Sequence, residues 1–274
     1  MHGVVDDSLK AEEVVHLATR RAPGIHRSGT DRSSEDIRNR LLAALPAADK
    51  QRIVPVLDVI PLKLKETLHK PGERPRHVYF PGGGFCSAVA VLEDGRMIEV
   101  ATIGREGMVG ISVVLGGHSQ SSSAAIVQGA TDVCYRMTSD ALAGELDRRG
   151  PLYDILTGYT EALIGFIMQS TACNAVHTVE QRLARWLLMA HDRMESDDFP
   201  LTQEFAAMML GATRPTVSIV AATLQHAGLI TYYRGQVRIV NRKRLEATAC
   251  ECYRAATDLV RSVTGRLDSR PRPR

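Results

Sequence analysis

No uninterrupted run of about 18 apolar residues occurs in the 274-residue chain, so no membrane-spanning helix is expected. The N-terminal stretch MHGVVDDSLKAEEVV lacks the basic flank and apolar core of a signal peptide, and the cytoplasm is the expected compartment. Cysteines are few: Cys86, Cys134, Cys173, Cys250 and Cys252 are an odd, scattered set without a CxxC pair. A disulfide scaffold is therefore not expected. A zinc or iron–sulfur site needs a ligand cluster that this linear spacing does not display. Reduced, partly buried thiols, no metal and no cofactor are the expectation. Catalytic signatures are missing as well, for there is no nucleophile elbow, P-loop or HExxH. A metal-binding roll enzyme of the cupin type needs an HxH pair, whereas His69 and His77 stand eight residues apart and His118 is distant. Enzymatic activity is not expected.

What the chain does hold is room for two cores, with 44% apolar and 24% charged residues. The most informative stretch is Leu201–Asn241, LTQEFAAMMLGATRPTVSIVAATLQHAGLITYYRGQVRIVN. Thr202 can cap a first helix, with Glu204 favourable in its first turn. Gly211 supplies the left-handed residue at which one helix ends and another departs steeply. Thr213 can cap the second helix and Pro215 suits its first turn. Val217, Val220, Ala221 and Leu224 then recur at i, i+3, i+4, i+7 as a buried stripe. Arg214, Thr216, Ser218 and Gln225 are left facing outward, on a helix able to enter a major groove. LITYY and VRIV flank Arg234-Gly235-Gln236, a loop of hairpin length, so a two-stranded ribbon follows.

Charge points the same way. Residues 201–274 carry 12 Lys and Arg against 5 Asp and Glu, a balance of +7, while the whole chain is only +3. A basic segment on an acidic remainder is the footprint of a phosphate-binding module.

Upstream, residues 1–33 are polar and rich in Arg, Ser and Thr, and read as a loosely ordered extension. From Ser34 the pattern turns helical, with Ile37, Leu41, Leu42 and Leu45 on one face and Pro46 as a stop. Residues 55–138 hold recurrent glycines and short runs, HVYF, CSAVAVL, MIEVATI, AAIVQ and DVCYRM, with Asp94-Gly95 as a hairpin signal. They suggest a small antiparallel sandwich or barrel. Over 151–177, Leu152, Leu156, Tyr159, Leu163 and Phe166 step by four and three, a seam that Ser170, Cys173 and His177 continue. That spacing predicts a helix pairing with a second copy of itself. Thr178-Val179-Glu180-Gln181 matches a capping box, so a new helix begins there. Its apolar face, Leu183, Trp186, Leu187 and Ala190, is expected to pack on the C-terminal domain.

This order of parts resembles the Crp/Fnr family of transcription regulators, over about Ser34 to Tyr253. The most specific pieces are IGREGMVG (Ile103–Gly110), NAVHTVEQRLARWLLMAHDR (Asn174–Arg193) and the helix-turn-helix with its ribbon. The resemblance implies an α+β fold: a double-stranded β-roll (jelly-roll, cyclic-nucleotide-binding-like) at 34–150, a dimerisation helix at 151–177, and a winged helix-turn-helix at 178–274. It also implies a homodimer on a double-stranded, near-palindromic operator, with RNA polymerase and a small-molecule effector as further partners. Arg214 matches the position at which an arginine commonly reads guanine. Thr213, Thr216 and Ser218 lie beside it, while Thr202, Gln203 and Arg234 match phosphate-gripping positions. Pro215 and Ile219 replace the glutamate and second arginine of the catabolite-activator branch, so that branch's operator does not carry over.

The effector segment departs further. Gly107 and Gly110 match the phosphate cassette, but Ile111 stands where cyclic-nucleotide binders have glutamate. GGHSQSSSAAIV, including Ser121, Ser122 and Ser123, has no arginine. Without a guanidinium the charge-assisted phosphate contact is missing, so cyclic AMP is not the expected ligand. The oxygen-sensing branch needs an N-terminal cysteine cluster, and no cysteine precedes Cys86. His69, His77 and Cys86 are read as structural rather than as haem ligands. The alternative to a DNA reader is a signalling adaptor of the same fold, against which Arg214, the wing and the basic segment argue.

Overall fold

The computed structural model describes residues 37–116 and 120–259. The extension expected at 1–33 and the arginine-rich tail lie outside the described residues. The helical stretch expected from Ser34 is two short helices, α1 (Arg40–Ala43) and α2 (Ala47–Ile53), because Pro46 has no N–H to continue the first. Asn39 is fully buried and wholly bonded. Its Oδ1 accepts from the N–H groups of Leu41 and Leu42, and its Nδ2 donates to Pro81 O at 3.0 Å and Gly107 O at 2.9 Å.

A 3₁₀ turn leads into β1 (Asp58–Leu62), β2 (Thr67–His69), β3 (His77–Pro81), β4 (Phe85–Val91) and β5 (Met97–Ile103). The short helix α3 (Ser112–Gly116) precedes β6 (Ala124–Gly129) and β7 (Thr131–Thr138). The strands form two antiparallel sheets, ordered β1-β7-β3 and β2-β6-β4-β5. The Asp94-Gly95 hairpin forms as expected: Gly95 takes φ +80° and Leu92 N–H bonds Arg96 O at 2.9 Å. Leu62, Tyr79, Cys86, Ile103, Val109, Ala125, Val127 and Cys134 make a buried apolar cluster of the roll. Burial raises the Cys134 thiol to about 12 and pushes Cys86 well above the usual thiol range.

Helix α4 (Ser139–Asp147), capped by Thr138, precedes the 26-residue α5 (Pro151–Val176), which starts at a proline and stops at His177. The periodicity of α5 is as read, but its phase is not. Leu152, Leu156, Tyr159, Leu163 and Phe166 are each at most 9% exposed, buried with Leu41, Leu42, Val78, Met108, Met137 and Leu142 of the same chain. Side chains already enclosed by their own domain offer nothing for a second copy to cover. The exposed stripe is instead Thr157, Glu161, Ile164, Met168, Thr171 and Ala175, again stepping by four and three, with Met168 68% exposed.

Thr178 closes the expected capping box with Gln181 and opens α6 (Val179–His191). After β8 (Asp198–Pro200) come α7 (Gln203–Leu210), α8 (Arg214–His226), β9 (Ile230–Tyr233), β10 (Gln236–Ile239) and α9 (Arg242–Thr248), then a last helical segment at 252–259. The ribbon expected as two strands has three, because β8 pairs with β10. Leu183, Trp186, Leu187 and Ala190 do face the C-terminal domain, in one core with Leu210, Val217, Ala221 and Leu224. That core also takes Phe85, Val89 and Ala124 from the roll. Phe85 meets Trp186 edge-on with centroids 6.1 Å apart, and Arg193 Nε donates to Glu106 Oε1 at 2.7 Å. The C-terminal domain thus docks on the roll of its own chain. Among the described residues no single helix is long and apolar enough to cross a membrane.

Candidate nucleic-acid interface

The residues singled out at the C-terminal domain converge on one end of it. Thr202 Oγ1 accepts the Phe205 N–H at 3.2 Å and so caps α7. Gly211, with φ +58°, ends that helix, and α8 departs at a bend of 107°. A Cβ at Gly211 would also come within 3.3 Å of Ile98 on the roll. Thr213 Oγ1 accepts the Thr216 N–H at 3.3 Å, and the two hydroxyls lie 2.8 Å apart. The first turn of α8 therefore has the Thr216 N–H satisfied by the cap and Pro215 where a donor would be idle.

Arg214 is exposed and its Nε lies 2.8 Å from Glu204 Oε1, which links the starts of α7 and α8. Thr216 and Ser218 are partly exposed on the following turn. The wing is a two-residue turn in which Arg234 at φ +48° and Gly235 at φ +73° both occupy the left-handed region, as a type I′ hairpin requires. The Arg234 guanidinium sits 5.1 Å from the Tyr233 ring centroid. Leu201 N–H bonds Gly235 O at 2.8 Å, which sets the wing tip beside Thr202 and Gln203.

One side chain differs from its sequence reading. Gln225, expected outward, accepts the Tyr232 N–H at 2.7 Å and braces the ribbon. Ile219, which replaces the second arginine of the catabolite-activator branch, is 69% exposed on the outward side of α8. Its exposure follows from its place four residues after Pro215, off the buried stripe. Much of the basic charge is internally balanced, since Arg238 pairs with Asp198, and Arg242 with Asp192 and Glu246.

The candidate effector residues fall into two groups with different partners. Gly107 lies under Tyr159, whose hydroxyl donates to Met108 O at 3.1 Å and leaves no room for a Cβ at Gly107. Gly110 takes φ +102° against Val78, and Ile111 packs into the core. Ser121 instead joins the loop before β3: its N–H bonds Glu73 O and its Oγ donates to Ser123 O at 2.8 Å, while Ser122 is exposed.

One cluster escaped the sequence reading. Cys173 and His177, at the foot of α5, meet Cys250 and Cys252, and one donor atom from each lies within 4.8 Å of the others. The scattered thiols are thus three-fifths gathered in space. The signal available was the i, i+4 spacing of Cys173 and His177 together with a Cys-x-Cys, but 77 positions separate Cys173 from Cys250 and only the fold joins them.

Residues 181–248 match the family model of the Crp-like helix-turn-helix domain. Curated protein sequences yield no match. Solved structures do. A transcriptional regulator assigned to the crp/fnr family in Eubacterium rectale aligns over 76% of this chain and 96% of its own, with 19% identity and a TM-score of 0.61. FixK2 of Bradyrhizobium japonicum aligns over 71% and 98%, with 20% identity and a TM-score of 0.60. CLP of Xanthomonas campestris, a c-di-GMP-responsive global regulator, aligns over 71% and 99%, with 16% identity and a TM-score of 0.56. The chain carries a Crp-like helix-turn-helix domain within the fold of the Crp/Fnr regulators.

Proposed function

We propose that this chain, a Crp-like helix-turn-helix joined to the Crp/Fnr β-roll, is a sequence-specific transcription regulator that binds a near-palindromic operator as a homodimer. The observation that carries this reading is the open first turn of α8, with Arg214, Thr216 and Ser218 outward between the α7 cap and the Arg234 wing. In this reading α8 enters a major groove. Arg214 leaves Glu204 for the O6/N7 edge of a guanine, and Ile219 offers an apolar surface to a thymine methyl. Thr202, Gln203 and Arg234 hold the flanking phosphates, which positions the helix without reading sequence.

The second copy lies along the exposed stripe of α5 through Ile164 and Met168, and the dimer axis sets the half-sites about 10 bp apart. The roll biases the placement of the C-terminal domains for an effector that is not cyclic AMP. Ile111 in place of the ribose-binding carboxylate, and no arginine in Gly116–Val127, support that exclusion.

Selection from a random duplex pool without added small molecule tests the reading. Recovery of two-fold symmetric sites with half-sites one helical turn apart is the expected result. No enrichment by a protein that sediments as a dimer, with or without candidate nucleotides, would overturn it in favour of the adaptor.

A further inference from the structure

Cys173 lies in the last turn of α5, His177 caps its end four residues on, and Gln169 lies one turn above Cys173. Cys250 and Cys252 come from the junction between α9 and the helical segment at 252–259. The three cysteines are buried at 0%, 4% and 1% exposure and form an apolar cluster of their own, apart from the main cores. The Cys173 and Cys250 sulfurs are 3.5 Å apart, and His177 Nδ1 is 3.6 Å from the Cys252 sulfur.

A single tetrahedral zinc ion, with Zn–S of about 2.3 Å and Zn–N of about 2.05 Å, sets its ligands about 3.8 Å apart for sulfur pairs and about 3.5 Å for a sulfur–nitrogen pair. These two separations are close to the edges of such a tetrahedron, and the remaining donor pairs lie within 4.8 Å. They are too long for a disulfide, whose sulfurs lie about 2.05 Å apart. They are too short for a multi-iron cluster, whose inorganic core stands between its thiolates.

We infer that Cys173, His177, Cys250 and Cys252 form a Cys₃His site for one tetrahedral zinc ion. The surroundings supply what such a site requires. His177 turns its other nitrogen, Nε2, to Glu251 Oε1 at 3.3 Å, the carboxylate–histidine pairing that fixes the tautomer and orientation of a metal-bound imidazole. Gln169 Nε2 donates to the Cys252 sulfur at 3.0 Å, which tempers thiolate charge. Three thiolates on a dication leave one net negative charge. Arg182 and Arg185 are buried cations electrostatically coupled to Cys173, and Nε of each has no hydrogen-bond partner among the described residues. Four donors close the coordination shell, so the site is structural rather than catalytic.

The ion closes a loop over the whole of α6 to α9. It ties the segment after the winged domain back to the foot of α5, beside the Thr178 break where α5 gives way to α6. Loading holds that junction; emptying it, by chelation or by oxidation of the thiols, releases that tie. The inference concerns the metal alone and stands whether or not the chain reads DNA.

Untagged full-length protein, purified reduced, would be assayed for metal and then titrated with Co²⁺ after chelation. One zinc per chain and a cobalt spectrum with thiolate charge-transfer and tetrahedral bands are expected. Cys252→Ser should lose the charge-transfer intensity of one thiolate. Glu251→Gln should leave stoichiometry at one while weakening zinc about tenfold in chelator competition. A reduced, folded wild-type chain that shows no cobalt charge-transfer would overturn the site. So would a Cys173–Cys250 disulfide in the peptide map of protein kept under thiol, or several irons with acid-labile sulfide per chain.

Discussion

Arg214 starts from a pairing it must give up. Its ion pair with Glu204 is more than half exposed on both sides and so contributes little to stability, which lets a base edge compete for the guanidinium. Arg214→Ala is expected to cost about 1–3 kcal/mol of discrimination at one base position per half-site, read by binding to singly substituted operators. An equal loss on every sequence would instead make Arg214 a phosphate contact.

Glu99 makes a second residue-scale case, at the seam between roll and C-terminal domain. Burial raises its carboxyl above the usual carboxylate value, opposed by hydrogen bonds from Ser87 and Thr102, then by Trp186 and Arg185. The folded chain therefore holds this proton to higher pH than the unfolded chain does. The contribution is fully present below the unfolded value near 4.5 and is lost as pH rises through the raised one. Glu99→Gln should flatten that slope, with the melting-temperature gap over wild type widening from acid to neutral pH. A gap that does not change with pH would show that Glu99 does not titrate in this range.

At the scale of elements, α5 carries two heptad-spaced stripes with different duties, and two substitutions separate them. Leu156→Ala removes a side chain with no exposure from the main core and should cost about 2–5 kcal/mol of unfolding free energy in denaturant titration, leaving association unchanged. Ile164→Glu with Met168→Glu alters only exposed positions. It should leave the monomer fold intact and shift sedimentation from dimer to monomer. A dimer that survives the double substitution would move the interface off α5. The α7–α8 pair was more legible, because a Gly at the turn and a Thr at each cap are local requirements. The ribbon's third strand was not, since Asp198–Pro200 is too short to show a period and is a strand only because β10 lies beside it.

At the scale of the molecule, charge is divided, with +7 in residues 201–274 and −4 before them. Neutralised phosphates release counterions, so operator affinity should fall steeply with salt. Arg234→Ala should reduce the slope of log K on log salt by about 0.9 per subunit while weakening all sequences alike. An unchanged slope would leave Arg234 a turn residue stacked on Tyr233. Basic residues held in internal pairs, Arg238 and Arg242 first, are expected to add much less than the raw charge suggests.

The sequence by itself determined much of the order of elements: five of the roll's seven strands, the capping box at Thr178, the steep turn at Gly211 and the outward start of α8. Each rests on local chemistry, namely a cap, a left-handed glycine, or an apolar period of two or of 3.6. Tertiary structure alone decided which side of α5 turns inward. Both of its stripes step by four and three, and only the packing of Leu41, Met108 and Leu142 distinguishes them. It decided that Gln225 braces the wing, since the Tyr232 N–H it meets belongs to another element. It also decided that three of five scattered cysteines share a site with His177. Ligand geometry is a property of distances in space, and 77 positions of chain separate Cys173 from Cys250 until the fold brings their sulfurs to 3.5 Å.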